Sequence, residues 1–402
     1  MNFYRQLVVV AVVAWLVEAP TVSRSARLDA FLRSSVADGD VPGVVAMVVD
    51  RKTTLYAGAF GKADVARDRA MTPDNIFRIA SMTKPVTSLA PMMLFEQGQL
   101  GLDDPITKHL PEFSNIRVLT TWHDADATFD SRPPRRPITI RDLLTHTSGI
   151  AYSFVDARLA KLDDGHKNAS ELPLVSDPGE RFVYGPNTLL LGEIIAKISN
   201  MPLEAFFQTR IFEPLGMHDT FFSVPDDKHD RVVTVHARTT DGSLRETPNP
   251  AAFKSNARGD GGLFSTASDY ARFMQLFLNR GRVGTTRLLT ERTIDLMTSN
   301  QIGSLRITEQ SSADPAIARP FPIGAGKDAF GFGFQIEGRP AASGLRSAGS
   351  LSWGGIFNTH FWIDPRRSIA AVVLMQVLPY YDPRALAVLR GVEREVYSQQ
   401  SR

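Results

Sequence analysis

The first apolar run of the chain extends unbroken from Leu7 to Val17, with Arg5 before it and Glu18 closing it. At about 11 residues it is too short for a bilayer core that needs roughly 20. A basic start, a short apolar stretch and small residues after it predict a secretory signal peptide over residues 1–22, and hence a periplasmic or secreted protein. Pro20 follows Ala19, which disfavours cleavage there and points to a site near Ala26. The competing expectation is a buried first helix in a cytoplasmic protein. Beyond this leader, Ser25 to Ser35 carries Leu28, Phe31 and Leu32 on one helical face. Val44 to Asp50 and Thr53 to Phe60 then alternate or run apolar as strands around an Asp50-Arg51-Lys52 turn. From about Ser81 to Asn279 the pattern changes to helices joined by long Pro- and Gly-rich connections. At the far end, His360 to Ile363 and Ser368 to Val377 are again strands, joined by an Asp364-Pro365 turn, and Pro383 to about Tyr397 is an amphipathic helix. Strands at both ends with helices between them predict an α/β (α+β-like) protein. Its antiparallel sheet would be built from residues 24–78 plus 320–402, flanked by the terminal helices. An all-helical domain over 79–319 would be inserted, with a cleft between the two.

Composition narrows the chemistry. The 402 residues carry 45 basic and 43 acidic side chains, a net charge of +2, so nothing supplies a phosphate-neutralising surface and no nucleic-acid partner is expected. Cysteine is absent, which removes disulfides, thiolate nucleophiles, iron–sulfur clusters and cysteine zinc sites. The eight histidines form no His-Glu-x-x-His or His-x-His cluster, no serine has glycine both two positions before and two positions after it, and no Gly-rich phosphate loop occurs. No metal or cofactor is implied. No later segment reaches membrane-spanning length, so no stable membrane span is expected.

What remains is Ser81-Met82-Thr83-Lys84, placed where a helix should begin: Pro85 suits a first turn, and Val86, Leu89 and Met93 continue an apolar face. Residues three apart share a helix face, so the Lys84 amine can approach the Ser81 oxygen. A serine hydroxyl needs a neighbouring base. Lysine serves as one only if its pKa falls from about 10.4 toward 7, a shift of roughly 4 kcal/mol that demands a sheltered site. No other lysine of the chain has serine three positions earlier. A helix cap beside a solvated lysine is the plainer alternative for the tetrapeptide alone. Pro91, inside the same helix, removes a hydrogen bond and should bend it.

Phe77 to Pro85 resembles the first motif of the penicillin-recognising serine hydrolases, in their class C β-lactamase-like branch. Four further stretches are similar to the same family in the same order: Ile140 to Gly149, Ile211 to Met217, Gly261 to Asp269, and Gly331-Phe332-Gly333-Phe334. The resemblance covers nearly the whole chain beyond the leader and implies a β-lactamase/DD-peptidase-like fold. It makes Ser81 the nucleophile, Lys84 its partner, and Tyr184, in Tyr184-Gly185-Pro186-Asn187, the tyrosine of the Tyr-x-Asn motif. A phenol near a lysine cation can trade a proton with the serine or the leaving group. Pro186 stands in the asparagine's place and has no amide to donate, so Asn187, one residue late, is the candidate for the substrate contact.

The third motif, Lys-Thr-Gly in true lactamases, corresponds here to the segment Ser347 to Ile356, whose Trp353-Gly354-Gly355 is similar to the Trp-Gly-Gly version of the family VIII carboxylesterases. The resemblance places the oxyanion hole at the N–H groups of Ser81 and Ile356. Gly354 and Gly355 would let the strand approach a ligand closely. Trp353 replaces a cation that would hold a substrate carboxylate; an aromatic wall favours neutral apolar groups, and core packing is its alternative. Tyr152 matches a pocket tyrosine of the same esterases. His146 is expected to end a helix before Gly149, and Thr266 with Asp269 to cap another. The expected function is a serine carboxylesterase acting on a small-molecule ester through an acyl-enzyme. The runner-up is a class C-type β-lactamase or D-Ala-D-Ala peptidase, with Arg346 as a carboxylate anchor if the fold turns it inward. Acyl transfer is a further variant.

Overall fold

The computed structural model describes residues 23–398 except 248, 251, 255 and 339–344. The leader expected over residues 1–22 lies outside the described residues. Among the described residues no helix is long and apolar enough to cross a membrane.

The strand Gly43–Asp50 is buried along almost its whole length, and a strand apolar on both sides needs cover on both faces. Antiparallel neighbours hold it on either edge: Thr54–Asp64, and Ile369–Leu374 from the other end of the chain, in register from Val45 opposite Leu374 to Asp50 opposite Ile369. The sheet continues through Thr359–Asp364, Leu351–Gly355, Gln335–Ile336 and Ala329–Phe330, with Arg69–Ala70 on the opposite edge. One face is covered by the helices Arg24–Ala37 and Pro383–Tyr397, with Leu28, Leu32, Val388 and Val392 packed on Val44, Val48 and Val373. The helix Ala267–Leu278, begun by the Thr266 hydroxyl accepting from the Asp269 N–H, packs against the other face.

Helix ends follow the side chains that can cap them. The Ser23 hydroxyl accepts from the Ala26 N–H at 3.2 Å, and Asp382 caps the last helix, which begins at Pro383. The expected strand Ser368–Val377 is instead split. Ile369–Leu374 stays in the sheet, while Val377–Leu378 pairs in parallel with Val235–Arg238. Between them Gln376 leaves the sheet to bond both backbone groups of Arg78, at 3.3 and 3.1 Å.

The middle of the chain is largely helical, built around Thr83–Glu96, Ile140–Thr145 and Asn187–Ser199. It is not all-helical as expected. Val118–His123 with Thr128–Arg132, and Val235–Arg238 with Leu244–Thr247, form two antiparallel hairpins, the first rich in β-branched and aromatic residues that favour strands. The helix Thr83–Glu96 is buried on nearly every side and continues through Pro91, as a central core helix does.

Candidate active site

The strand Phe77–Arg78, paired with Phe264–Ser265, gives way to a 3₁₀ turn at Ala80–Met82 and then to the helix Thr83–Glu96. Ala80 makes the change of direction with φ +44°, a left-handed conformation that costs a residue with a Cβ about 1–2 kcal/mol. The turn is pinned on both sides. The Thr83 hydroxyl accepts from the Leu263 N–H at 3.1 Å, Thr359 donates to the Ile79 carbonyl at 3.2 Å, and Tyr270 donates to the Met82 carbonyl at 3.0 Å. Ser81, half-buried, sits on this turn.

Lys84 follows one turn later and is 1 % exposed. Its amine lies 3.1 Å from the Ser81 Oγ, 3.1 Å from the Tyr152 hydroxyl and 2.5 Å from the Asp260 carbonyl oxygen. On the other side of the serine, the Tyr184 hydroxyl lies 2.7 Å from Ser81 Oγ. The two tyrosines come from neighbouring loops that touch: the Tyr152 N–H donates to the Tyr184 carbonyl at 3.2 Å, and their rings stand 5.2 Å apart. Gly185 makes that approach possible, since a Cβ there would lie 2.1 Å from the Ile150 carbonyl. Ser81 and Lys84, three residues apart, and Tyr184, 103 residues beyond Ser81, therefore share one cluster, and Tyr152 belongs to it through Lys84.

Behind the lysine is a buried carboxylate that the sequence pattern did not flag. The Tyr152 hydroxyl donates to Asp260 Oδ2 at 2.7 Å, and Arg258 reaches both oxygens of the same carboxylate at 2.9 and 3.1 Å. Burial pushes the Asp260 carboxyl up, but the Lys84 charge, Arg258 and the Tyr152 hydroxyl outweigh it and hold it below the ordinary carboxylate range. Burial and the neighbouring Asp260 charge push the Tyr152 hydroxyl well above the ordinary phenol value, so it stays neutral. Burial first, then the Lys84 charge, keeps His146 well below its ordinary value and thus uncharged.

A narrow cavity of about 20 Å³ opens at Ser81, lined by Phe154, Tyr184, Ala318, Phe321, Trp353 and Ile356 among others. Trp353 is 7 % exposed, lies 5.3 Å from the Tyr184 ring and 5.5 Å from Phe330, and so is both a cavity wall and packed core. Ile356 lies just past the strand Leu351–Gly355, and it and Ser81 line the same cavity. A larger cleft of about 1080 Å³ shares Trp353, Gly354 and Tyr380 with it, but does not reach Ser81.

Three sequence expectations need correction. Asn187 offers nothing to the cleft: it is fully buried, its amide oxygen accepts from the Ser148 hydroxyl at 2.5 Å and its amide nitrogen donates to His146 Nδ1 at 2.8 Å. With Pro186 before it, Asn187 falls in the first helical turn, and its amide completes the loop that follows the helix Ile140–Thr145 instead. His146 closes that helix, as expected, and does so in a left-handed conformation. Gly354 lines the cavity at Ser81, but Gly355 does not, and the close approach it admits is to this chain's own groups: a Cβ on Gly355 would meet the Ile79 carbonyl at 2.2 Å. Arg346 is not turned to Ser81; it is ion-paired with Glu393 and lies over the Trp362 ring, on the side of the C-terminal helix. Asp260 and Arg258 stand just before the Gly261-Gly262 turn, and no spacing links them to residues 84 and 152. Among the described residues no group of three or more His, Asp or Glu side chains could hold a metal ion.

Comparison with known proteins gives the family. A family model described as Beta-lactamase matches residues 28–392. The monacolin J acid methylbutanoyltransferase of Aspergillus terreus is 30 % identical over 92 % of this chain and 95 % of its own length. Esterase EstB of Burkholderia gladioli is 28 % identical over 94 % of this chain and 96 % of its own. The solved structure of the simvastatin synthase LovD from Aspergillus terreus superposes with a TM-score of 0.81 at 25 % identity, covering 95 % of this chain and all of that one. The chain belongs to the Beta-lactamase family, and its relatives there include esterases and acyltransferases.

Proposed function

We propose that this protein is a serine carboxylesterase. The observation that carries the reading is the placement of Ser81 Oγ 2.7 Å from the Tyr184 hydroxyl and 3.1 Å from the Lys84 amine, in a cavity walled by aromatic rings. Ser81 Oγ attacks the ester carbonyl as its proton passes to the Tyr184/Lys84 pair, and the N–H groups of Ser81 and Ile356 receive the oxyanion. The same pair returns the proton to the leaving alcohol oxygen. Water, activated by the reverse transfer, then releases the acid from Ser81. Phe154, Phe321 and Trp353 offer apolar surface and no cation, which suits an uncharged acyl group. The engagement of Arg346 by Glu393 argues against a lactam carboxylate anchor at that residue.

Acyl transfer to an alcohol in place of water is the second reading, favoured by the likeness to the methylbutanoyltransferase. The test is hydrolysis of short-chain p-nitrophenyl esters by wild type and Ser81→Ala, with nitrocefin alongside and product analysis in the presence of an added alcohol. Loss of turnover in Ser81→Ala supports the esterase, and a new ester in the presence of alcohol supports transfer. Equal rates in the two proteins overturn both, and nitrocefin turnover exceeding that of esters returns the reading to a lactamase.

A further inference from the structure

Asp260 is 4 % exposed, and a carboxylate at such a depth must be compensated by charge and hydrogen bonds or be neutralised. It is compensated, by Arg258 on both oxygens and by the Tyr152 hydroxyl on Oδ2. That second contact has a directional consequence. A phenol carries one hydrogen, and at Tyr152 it is committed to the carboxylate, so the oxygen presents only lone pairs to Lys84. The Lys84 amine must therefore donate to Tyr152. It must donate as well to the Asp260 carbonyl, which has no hydrogen to give. Two of the four tetrahedral positions on the lysine nitrogen are thus fixed by one residue, Asp260, through its side chain by way of Tyr152 and through its own backbone. A third is the bond to Cε, and the one left points to Ser81 Oγ. Whether that position holds a lone pair or a hydrogen, the nucleophile is what it faces.

We propose that Asp260, acting through the Tyr152 hydroxyl, is a positioning residue that aims the Lys84 amine at Ser81 and supplies the counter-charge for its ammonium form. The inference rests on the reading of Ser81 as the nucleophile and extends it to residues outside the family's motifs quoted above. The groups facing Lys84 are few among the described residues. Ser81 approaches from the 3₁₀ turn, His146 from the end of its helix, Tyr152 and Tyr184 from their loops, and Asp260 with Arg258 from the segment before Phe264–Ser265. His146 is uncharged, and Arg258 has the same sign as the ammonium, so the Asp260 carboxylate is the one anion of the set that favours it.

The experiment is the pH profile of kcat/KM for p-nitrophenyl butyrate with wild type, Asp260→Asn, Tyr152→Phe and Ser81→Ala. Removal of the carboxylate charge in Asp260→Asn moves the profile to lower pH by about one unit, which is a tenfold change in rate on the affected limb. Tyr152→Phe keeps the charge but releases the amine, so kcat falls with little change in KM and the profile moves less. A structural role alone lowers activity without displacing the profile. If Asp260→Asn does not fold, Tyr152→Phe decides: wild-type kcat there overturns the proposal. An inert Ser81→Ala together with an undisplaced Asp260→Asn profile overturns this inference and leaves the esterase reading standing. Full activity in Ser81→Ala overturns both.

Discussion

Gly355 lies on the strand Leu351–Gly355, where that strand crosses the turn carrying Ser81. A Cβ added at this position would stand 2.2 Å from the Ile79 carbonyl oxygen and 2.4 Å from the Thr359 hydroxyl. Its backbone is not left-handed, so Gly355→Ala tests space alone. An unstrained contact of this kind needs about 3.4 Å, so the strand and the turn must part by about 1 Å. The Ile79 carbonyl also accepts from Thr359 and from the Met82 N–H, so the displacement is passed to the residues on either side of Ser81. Misplacement by about 1 Å of groups that must meet the reacting carbonyl together costs on the order of 100-fold in kcat/KM. Overpacking costs a further 1–3 kcal/mol or so of stability. The expected result is a folded protein with a lowered Tm and kcat/KM for short-chain esters reduced by about two orders of magnitude. Wild-type kcat/KM with an unchanged Tm would refute the claim that this contact sets the spacing between Ser81 and Ile356.

Other consequences are open to measurement. Tyr184→Phe removes the hydroxyl 2.7 Å from Ser81, and kcat/KM should fall by about 10²–10⁴ while the protein remains folded by circular dichroism. Asn187→Ala leaves His146 and the Ser148 hydroxyl without their buried partner, so urea unfolding should show a loss of about 1–3 kcal/mol, with ester KM unchanged if the residue touches no substrate. Hydrogen bonds from Arg132, outweighing burial, hold the Asp177 carboxyl down from 3.8 to about 2. A folded value below the unfolded one means this contribution is complete above pH 3.8 and disappears as pH falls through about 2. Asp177→Asn should therefore be less stable than wild type at neutral pH and lose that difference on acidification, followed by denaturant unfolding across the pH range.

Much of this molecule follows from short-range pattern. The helix Pro383–Tyr397 and the strand Gly43–Asp50 appear where amphipathic period and apolar runs place them, because one buried face or two is a property of consecutive residues. Ser81 and Lys84 are legible for the same reason: three positions along a turn entering a helix bring two side chains together without help from the rest of the chain. The split of Ser368–Val377 is different: the partner that decides it, His236 opposite Val377, lies more than a hundred residues away, whereas the hairpins of the middle segment are local pairings that a helical expectation for that region passes over.

The elements at either end and the approach of Lys84 to Ser81 follow from consecutive residues, and the family resemblance adds Tyr184 as the third member of the cluster. What surrounds that trio is settled by packing across the whole chain. It turned Asn187 into the support of His146, drew Arg346 to Glu393, and set Asp260 behind Tyr152 and Lys84. The reason is geometric. Periodicity fixes which face of an element is apolar, but the partner of a buried polar group is fixed by which distant backbone can approach it, and that depends on the packing of the entire chain.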